Sequence, residues 1–191
     1  MKKVMTTNGA EPVNVPEPIT ARRARGGRHG DRGETLRFRE AAMMKISRIL
    51  APVDFSTGSE ASVEYAAALA QTLRATVTLF HVYQMPDLLG GIVPGADNAA
   101  DAERDRTSAQ EWLDKLRVET QKHRGIEIDS ALVHGSAAQE IISFSSSGGF
   151  DIVVMGTHGR TGLRHVLMGS VAEQVVRRAR CPILTIHLPL V

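Results

Sequence analysis

The residues that could do the most chemistry lie between Met155 and Ser170. Gly156, Gly159, Gly169 and Ser170 follow an apolar run, Asp151-Ile152-Val153-Val154-Met155, and precede Val171-Ala172-Glu173-Gln174-Val175-Val176-Arg177-Arg178. The run reads as a buried strand and the later segment as a helix. Ser170 and Glu173 have capping-box spacing, which starts that helix at Ser170. A strand, a glycine loop and a helix N-terminus in this order can bring backbone N–H groups to phosphate oxygens, and the helix end adds positive partial charge. His158, Arg160, Arg164 and His165 place cationic or donor side chains in the same segment. The glycines also suit an ordinary turn and the basic residues a solvated loop, so the segment has to be read with the elements around it.

Those elements alternate. Arg48 to Val53 reads as a strand ending at Asp54, and Thr57 with Glu60 opens a helix whose stripe is Ala61, Tyr65, Ala68, Leu69 and Leu73. Thr76 to Val82 is β-branched and aromatic, a second strand, and Gln84 to Asp97 is a proline- and glycine-containing loop. Ala99 to His123 reads as a long helix with Trp112, Leu113 and Leu116 facing inward, followed by a strand over Ile126–Val133. Ser136 and Gln139 cap a helix with Ile141, Ile142 and Phe144 on its apolar side, and a last strand lies near Pro182–His187. Strands alternating with helices predict a parallel sheet covered on both faces, with right-handed crossovers. In such sheets a ligand sits at the carboxyl ends of the strands, where the strand order reverses.

The glycine spacing is specific: Gly156, two residues, Gly159, nine residues, then Gly169-Ser170. With the opening Ile49-Leu50-Ala51-Pro52-Val53-Asp54-Phe55-Ser56 and the ending Cys181-Pro182-Ile183-Leu184, it makes the chain from Arg48 onward resemble the universal stress protein family, in its ATP-binding subclass. The resemblance implies an α/β fold, an open five-stranded parallel sheet of order 3-2-1-4-5 with helices on both faces, Rossmann-like. The switch then falls between the strands ending at Asp54 and at Gly156, so two separate segments converge on one crevice. It further implies ATP held with Mg²⁺ or Mn²⁺. Asp54 would contact the sugar, although an aspartate there also suits a turn or a helix cap. Pro52, Val53 and Phe55 would wall the adenine beside the backbone of His81 and Val82. Met155, Gly156, His158, Gly159, Arg160, Gly169, Ser170 and Val171 would complete the nucleotide-binding residues, with Gly156, Gly159, Gly169 and Ser170 at the phosphates and His158 and Arg160 neutralising charge. Ala172 departs from members that carry a hydroxyl there. The function implied is that of a nucleotide-responsive stress or signalling regulator with an unnamed protein partner. The alternatives are a slow ATPase or phosphotransferase using the same site, and a partner-binding module indifferent to nucleotide. No residue stands out as a base for activating water, and no catalytic residue or protein-built metal site is assigned.

Composition divides the chain at residue 44. Residues 1–44 hold nine Lys/Arg against five Asp/Glu, with Pro12, Pro16, Pro18 and several glycines and no amphipathic period. This predicts a disordered basic extension, because it has too little apolar surface to offset ordering entropy. A nucleic-acid arm, an arginine-rich presequence, and a true start at Met43 or Met44 are the other readings. Residues 45–191, the domain, hold fourteen Lys/Arg against sixteen Asp/Glu, which makes nucleic acid an unlikely partner. No apolar run approaches the roughly 20 residues of a membrane helix. The single cysteine, Cys181, excludes an intrachain disulfide and fits a reducing, cytoplasmic compartment. There is no G-x-x-x-x-G-K-[ST], no G-x-S-x-G and no His-x-Gly-His, since Arg160 follows Gly159, and His81, His123, His134 and His187 lack metal-ligand spacing. The strand Ile183-Leu184-Thr185-Ile186 is too apolar to leave as an open sheet edge, which predicts a homodimer through the C-terminal strand, as the resemblance also implies.

Overall fold

The structure is a computed structural model that describes residues 5–6, 45–83, 97–157 and 168–187. Its strands are β1 (Met5–Thr6), β2 (Arg48–Val53), β3 (Thr76–Tyr83), β4 (Ile128–His134), β5 (Ile152–Gly156) and β6 (Ile183–Ile186). Its helices are α1 (Thr57–Leu73), α2 (Asp97–Arg124), α3 (Ala137–Ser147) and α4 (Ser170–Arg178). The sheet runs β1-β4-β3-β2-β5-β6. Strands β2 to β6 are parallel, and numbered among themselves they have the order 3-2-1-4-5. A sixth strand joins them: Met5 and Thr6 pair antiparallel with Leu132 and Ala131 of β4. Of the loop expected over Gln84 to Asp97, residues 84–96 lie outside the described residues, and Asp97 instead begins α2.

Period-two alternation sorts the strand side chains to two faces. Ile49, Ala51, Val53, Val77 and Leu79 face α1 and α2, where Val63, Ala66, Ala70, Ala109 and Leu113 meet them. Leu50, Phe80, Val153 and Met155 face α3 and α4, against Ala138, Ile141, Ala172 and Val175. Side chains such as Ile49, Leu50, Leu79 and Phe80 are fully buried, and each stabilises the fold by about 1.5–3 kcal/mol relative to exposure.

Two faces differ from the sequence reading. On α1 the buried residues are Ser59, Ser62, Val63, Ala66, Ala67 and Ala70, while Tyr65 is 57% exposed and Leu73 40%. Small side chains let this helix lie close to the strands. The buried hydroxyl of Ser62 is satisfied by donating to the Ser59 carbonyl at 2.7 Å, so it can face the core without a desolvation penalty. On α2 the inward stripe is Ala109, Leu113, Leu116 and Thr120, at helical spacing. Trp112 is one position, about 100° of arc, away from Leu113 and is 56% exposed. Its ring lies 6.3 Å from Phe55 and under the Lys115 ammonium at 5.6 Å.

The caps differ as well. The N-cap of α1 is Ser56, not Thr57: its side chain accepts from the Ser59 N–H at 3.2 Å. Ser136 caps α3 without a side-chain bond, and the N-cap of α4 is Gly169, leaving Ser170 as the first helical residue. At the foot of the sheet the Asp151 carboxylate accepts the N–H groups of Ser47 and Arg48 at 2.7 and 2.9 Å, which aligns the starts of β2 and β5.

Candidate functional site

The order reversal between β2 and β5 opens a cavity of about 400 Å³ at their carboxyl ends. That falls within the range of roughly 300–1,000 Å³ usual for small-molecule sites. Of the residues assigned from sequence, Pro52, Val53, Asp54, His81, Val82, Met155, Gly156, Gly169, Ser170 and Val171 line it. Phe55 is not among the lining residues. Its backbone sits at φ +61°, a left-handed conformation uncommon for a bulky side chain, and its ring packs on His81 at 4.5 Å on the α1/α2 side. His158, Gly159, Arg160, Arg164 and His165 lie outside the described residues.

Ser59, Phe80, Ala137, Ile141, Thr157 and Ala172 complete the lining and were not assigned from sequence. Phe80, Ile141, Met155 and Ala172 also belong to the core under α3 and α4, so the floor of the cavity is the upper surface of that core. Strand parity was the signal that could have found Phe80, which sits opposite Pro52 in the β2–β3 register. Ala137 and Ile141 belong to the helix that follows β4, a strand outside the β2–β5 pair that flanks the crevice.

The polar part of the site is held by short networks. At the end of β2, the Ser56 N–H and hydroxyl both donate to Asp54 Oδ1, at 3.1 and 2.6 Å. The Asp54 N–H donates to Ser59 Oγ at 3.3 Å, and that hydroxyl donates to the Ser56 carbonyl at 2.9 Å. Across the sheet, His81 Nδ1 lies 2.7 Å from the Val53 carbonyl. A carbonyl only accepts, so Nδ1 carries the proton. This bond holds the ends of β2 and β3 side by side under the cavity wall.

At the end of β5, Thr157 is buried and makes three bonds to other elements. Its N–H donates to the Ile186 carbonyl at 3.0 Å, its carbonyl accepts from the Gly169 N–H at 2.7 Å, and its hydroxyl meets His187 Nδ1 at 3.1 Å. The Gly169 amide, expected from sequence to meet phosphate, is therefore engaged within the protein. The groups at the start of α4 left for an anion are its first-turn amides and the exposed hydroxyl of Ser170. Asp54 is the one carboxylate among the lining residues, and no group of three His, Cys, Asp or Glu stands together among the described residues. Among those residues, too, no helix is long and apolar enough to cross a membrane.

Residues 45–187 match the model of the universal stress protein family. The chain is 32% identical over 142 residues to the universal stress protein MJ0531 of Methanocaldococcus jannaschii, covering 74% of this chain and 82% of that one. It is 27% identical over 151 residues to MJ0577 of the same organism. The solved MJ0577 structure superimposes with a TM-score of 0.68 at 24% identity, covering 77% of this chain and 99% of that chain, and shows the same fold. A universal stress protein solved in complex with cAMP superimposes with a TM-score of 0.54 at 19% identity, covering 76% and 99% of the two chains. The matched segment contains the whole parallel sheet from β2 to β6 and every residue found to line the cavity, and the chain belongs to the universal stress protein family.

Proposed function

We propose that the cavity binds an adenine nucleotide, ATP in complex with Mg²⁺ or Mn²⁺, and that the protein is a nucleotide-responsive regulator in stress or signalling. The observation that carries this reading is the convergence of three features on one cavity: the apolar ends of β2, β3 and β5, the Asp54 carboxylate, and the start of α4. The relative solved with cAMP supports the choice of an adenine nucleotide.

Charge orients the ligand. An ionised carboxylate accepts hydrogen bonds and repels phosphate, so Asp54 suits the sugar. The first turn of α4 offers N–H donors and positive partial charge, which suit the phosphates. Val53, Met155 and the backbone at His81–Val82 make a mostly apolar slot for the base. A helix terminus contributes about 0.3–1 kcal/mol, up to about 2, against about 8 kcal/mol for micromolar affinity. Base, sugar and phosphate contacts therefore have to act together. With Asp54 given to the sugar, the divalent ion takes its ligands from phosphate oxygens and water.

Among the described residues β6 is one of the two edge strands of the sheet, and Leu184 on it is 39% exposed. Two copies pairing antiparallel through β6 about a two-fold axis would cover that edge and place the Thr157–Ile186 bond near the interface. Occupancy of the cavity would then act on the dimer or on a further protein partner through a shift in conformational populations. The direct test is to denature protein purified without added ligand and identify what is released. At micromolar affinity a substoichiometric amount of adenine nucleotide is expected; release of a different ligand class would overturn the proposal.

A further inference from the structure

In the turn Asp54-Phe55-Ser56 the hydrogen bonds among Asp54, Ser56 and Ser59 each have one possible direction. Ser56 Oγ accepts from the Ser59 N–H at 3.2 Å, so its single proton is committed to Asp54 Oδ1 at 2.6 Å. The Ser56 N–H reaches the same oxygen at 3.1 Å. Ser59 Oγ accepts from the Asp54 N–H, and its own proton goes to the Ser56 carbonyl. This closure requires Ser56 to fold back over Asp54, and the left-handed backbone of Phe55, at φ +61°, makes that reversal. A bulky residue in that region costs free energy, and such strain gathers where the surrounding structure fixes a functional group.

We propose that Ser56 is a positioning residue for sugar recognition: it holds the Asp54 carboxylate in the one orientation that reads the vicinal hydroxyls of a ribose. The inference rests on the nucleotide reading above. With Oδ1 taking two donors from Ser56, the carboxylate cannot swing away from the cavity without breaking both bonds. As an acceptor only, it selects a ligand group that donates, which a ribose diol does and a sugar lacking both hydroxyls does not. Ser56 also caps α1, so the test has to separate capping from positioning.

The experiment compares the Kd of ATP with that of 2′,3′-dideoxy-ATP, each with Mg²⁺, in the parent and in variants. The parent is expected to favour ATP by about tenfold, the scale of one or two hydrogen bonds. Ser56→Ala and Ser56→Gly should reduce that preference to about twofold or less, as should Asp54→Asn. Glycine is a tolerable N-cap, far less costly than alanine in place of serine, so Ser56→Gly keeps the measurement on folded protein. Ser56→Thr, which restores the hydroxyl, should restore the preference. A cap alone affects stability and both ligands equally. If Ser56→Gly weakens both ligands alike and keeps the parent ratio, or the parent binds ATP without preferring it, this inference is overturned and nucleotide binding stands. A parent that binds neither compound overturns the nucleotide reading and this inference with it.

Discussion

The N–H of Gly169 donates to the carbonyl of Thr157 across 2.7 Å, joining the two ends of the glycine-rich segment. The sequence places that amide against phosphate; the structure uses it to anchor the start of α4 to the end of β5. Thr157 in turn donates to Ile186, so the rim of the cavity and the outer strand share one residue. Phosphate at α4 would then meet the amides of Ser170, Val171 and Ala172. Amide-resolved hydrogen exchange should show those three gaining protection on addition of ATP and Mg²⁺, with little change at Gly169, which is already bonded. The largest gain at Gly169 would show instead that ligand displaces the Thr157 bond.

Gly169 has φ −68° and ψ 153°, an extended conformation open to any residue. Its backbone therefore does not require glycine, while its Cα lies on the cavity wall. Gly169→Val should leave the Tm within about 4 °C of the parent, the shift of roughly 1 kcal/mol in a domain this size, and weaken ATP by about tenfold or more. A large fall in Tm with unchanged affinity would assign Gly169 to folding alone.

The N-terminal extension tests how much a two-residue strand contributes. Met5–Thr6 pairs with β4, but ordering each residue costs about 1–2 kcal/mol of backbone entropy, close to what the ladder bonds return. A chain starting at Met44 should unfold within about 2 °C of the full-length protein. A shift several times larger would make β1 a structural part of the sheet.

The outer strand predicts assembly. Leu184→Lys places a charge on the exposed apolar edge of β6, where two copies would meet. In sedimentation at micromolar concentration the parent should run as a dimer and the variant as a monomer. A monomeric parent would remove β6 as an interface.

Much of the candidate site's placement was legible because it follows from topology. Asp54 and Gly156 end the strands on either side of the order reversal, and any parallel sheet of this order brings them together. Side-chain direction was not legible. Phe55 follows Asp54 directly, but its left-handed backbone sets the ring on His81 in the α1/α2 layer, and it is not among the residues lining the cavity. Ser59 was missed because a serine early in a helix reads as solvent-facing, whereas here it is buried and takes the Asp54 N–H. The face of α1 was misjudged for a related reason: hydrophobicity weights Tyr65 and Leu73 above Ser62 and Ala66, while close packing on the strands favours the small residues. Trp112 shows the limit on α2, where residue type pointed inward and the stripe of Ala109, Leu113 and Thr120 placed it outside.

The central claim is nucleotide binding at the β2–β5 crevice, and titration calorimetry of the full-length protein with ATP and Mg²⁺ or Mn²⁺ tests it most directly. Saturable binding near one nucleotide per chain with micromolar Kd, about 8 kcal/mol, is the expected result. The absence of binding at about 100 µM ATP, where even about 5 kcal/mol would register, would contradict it.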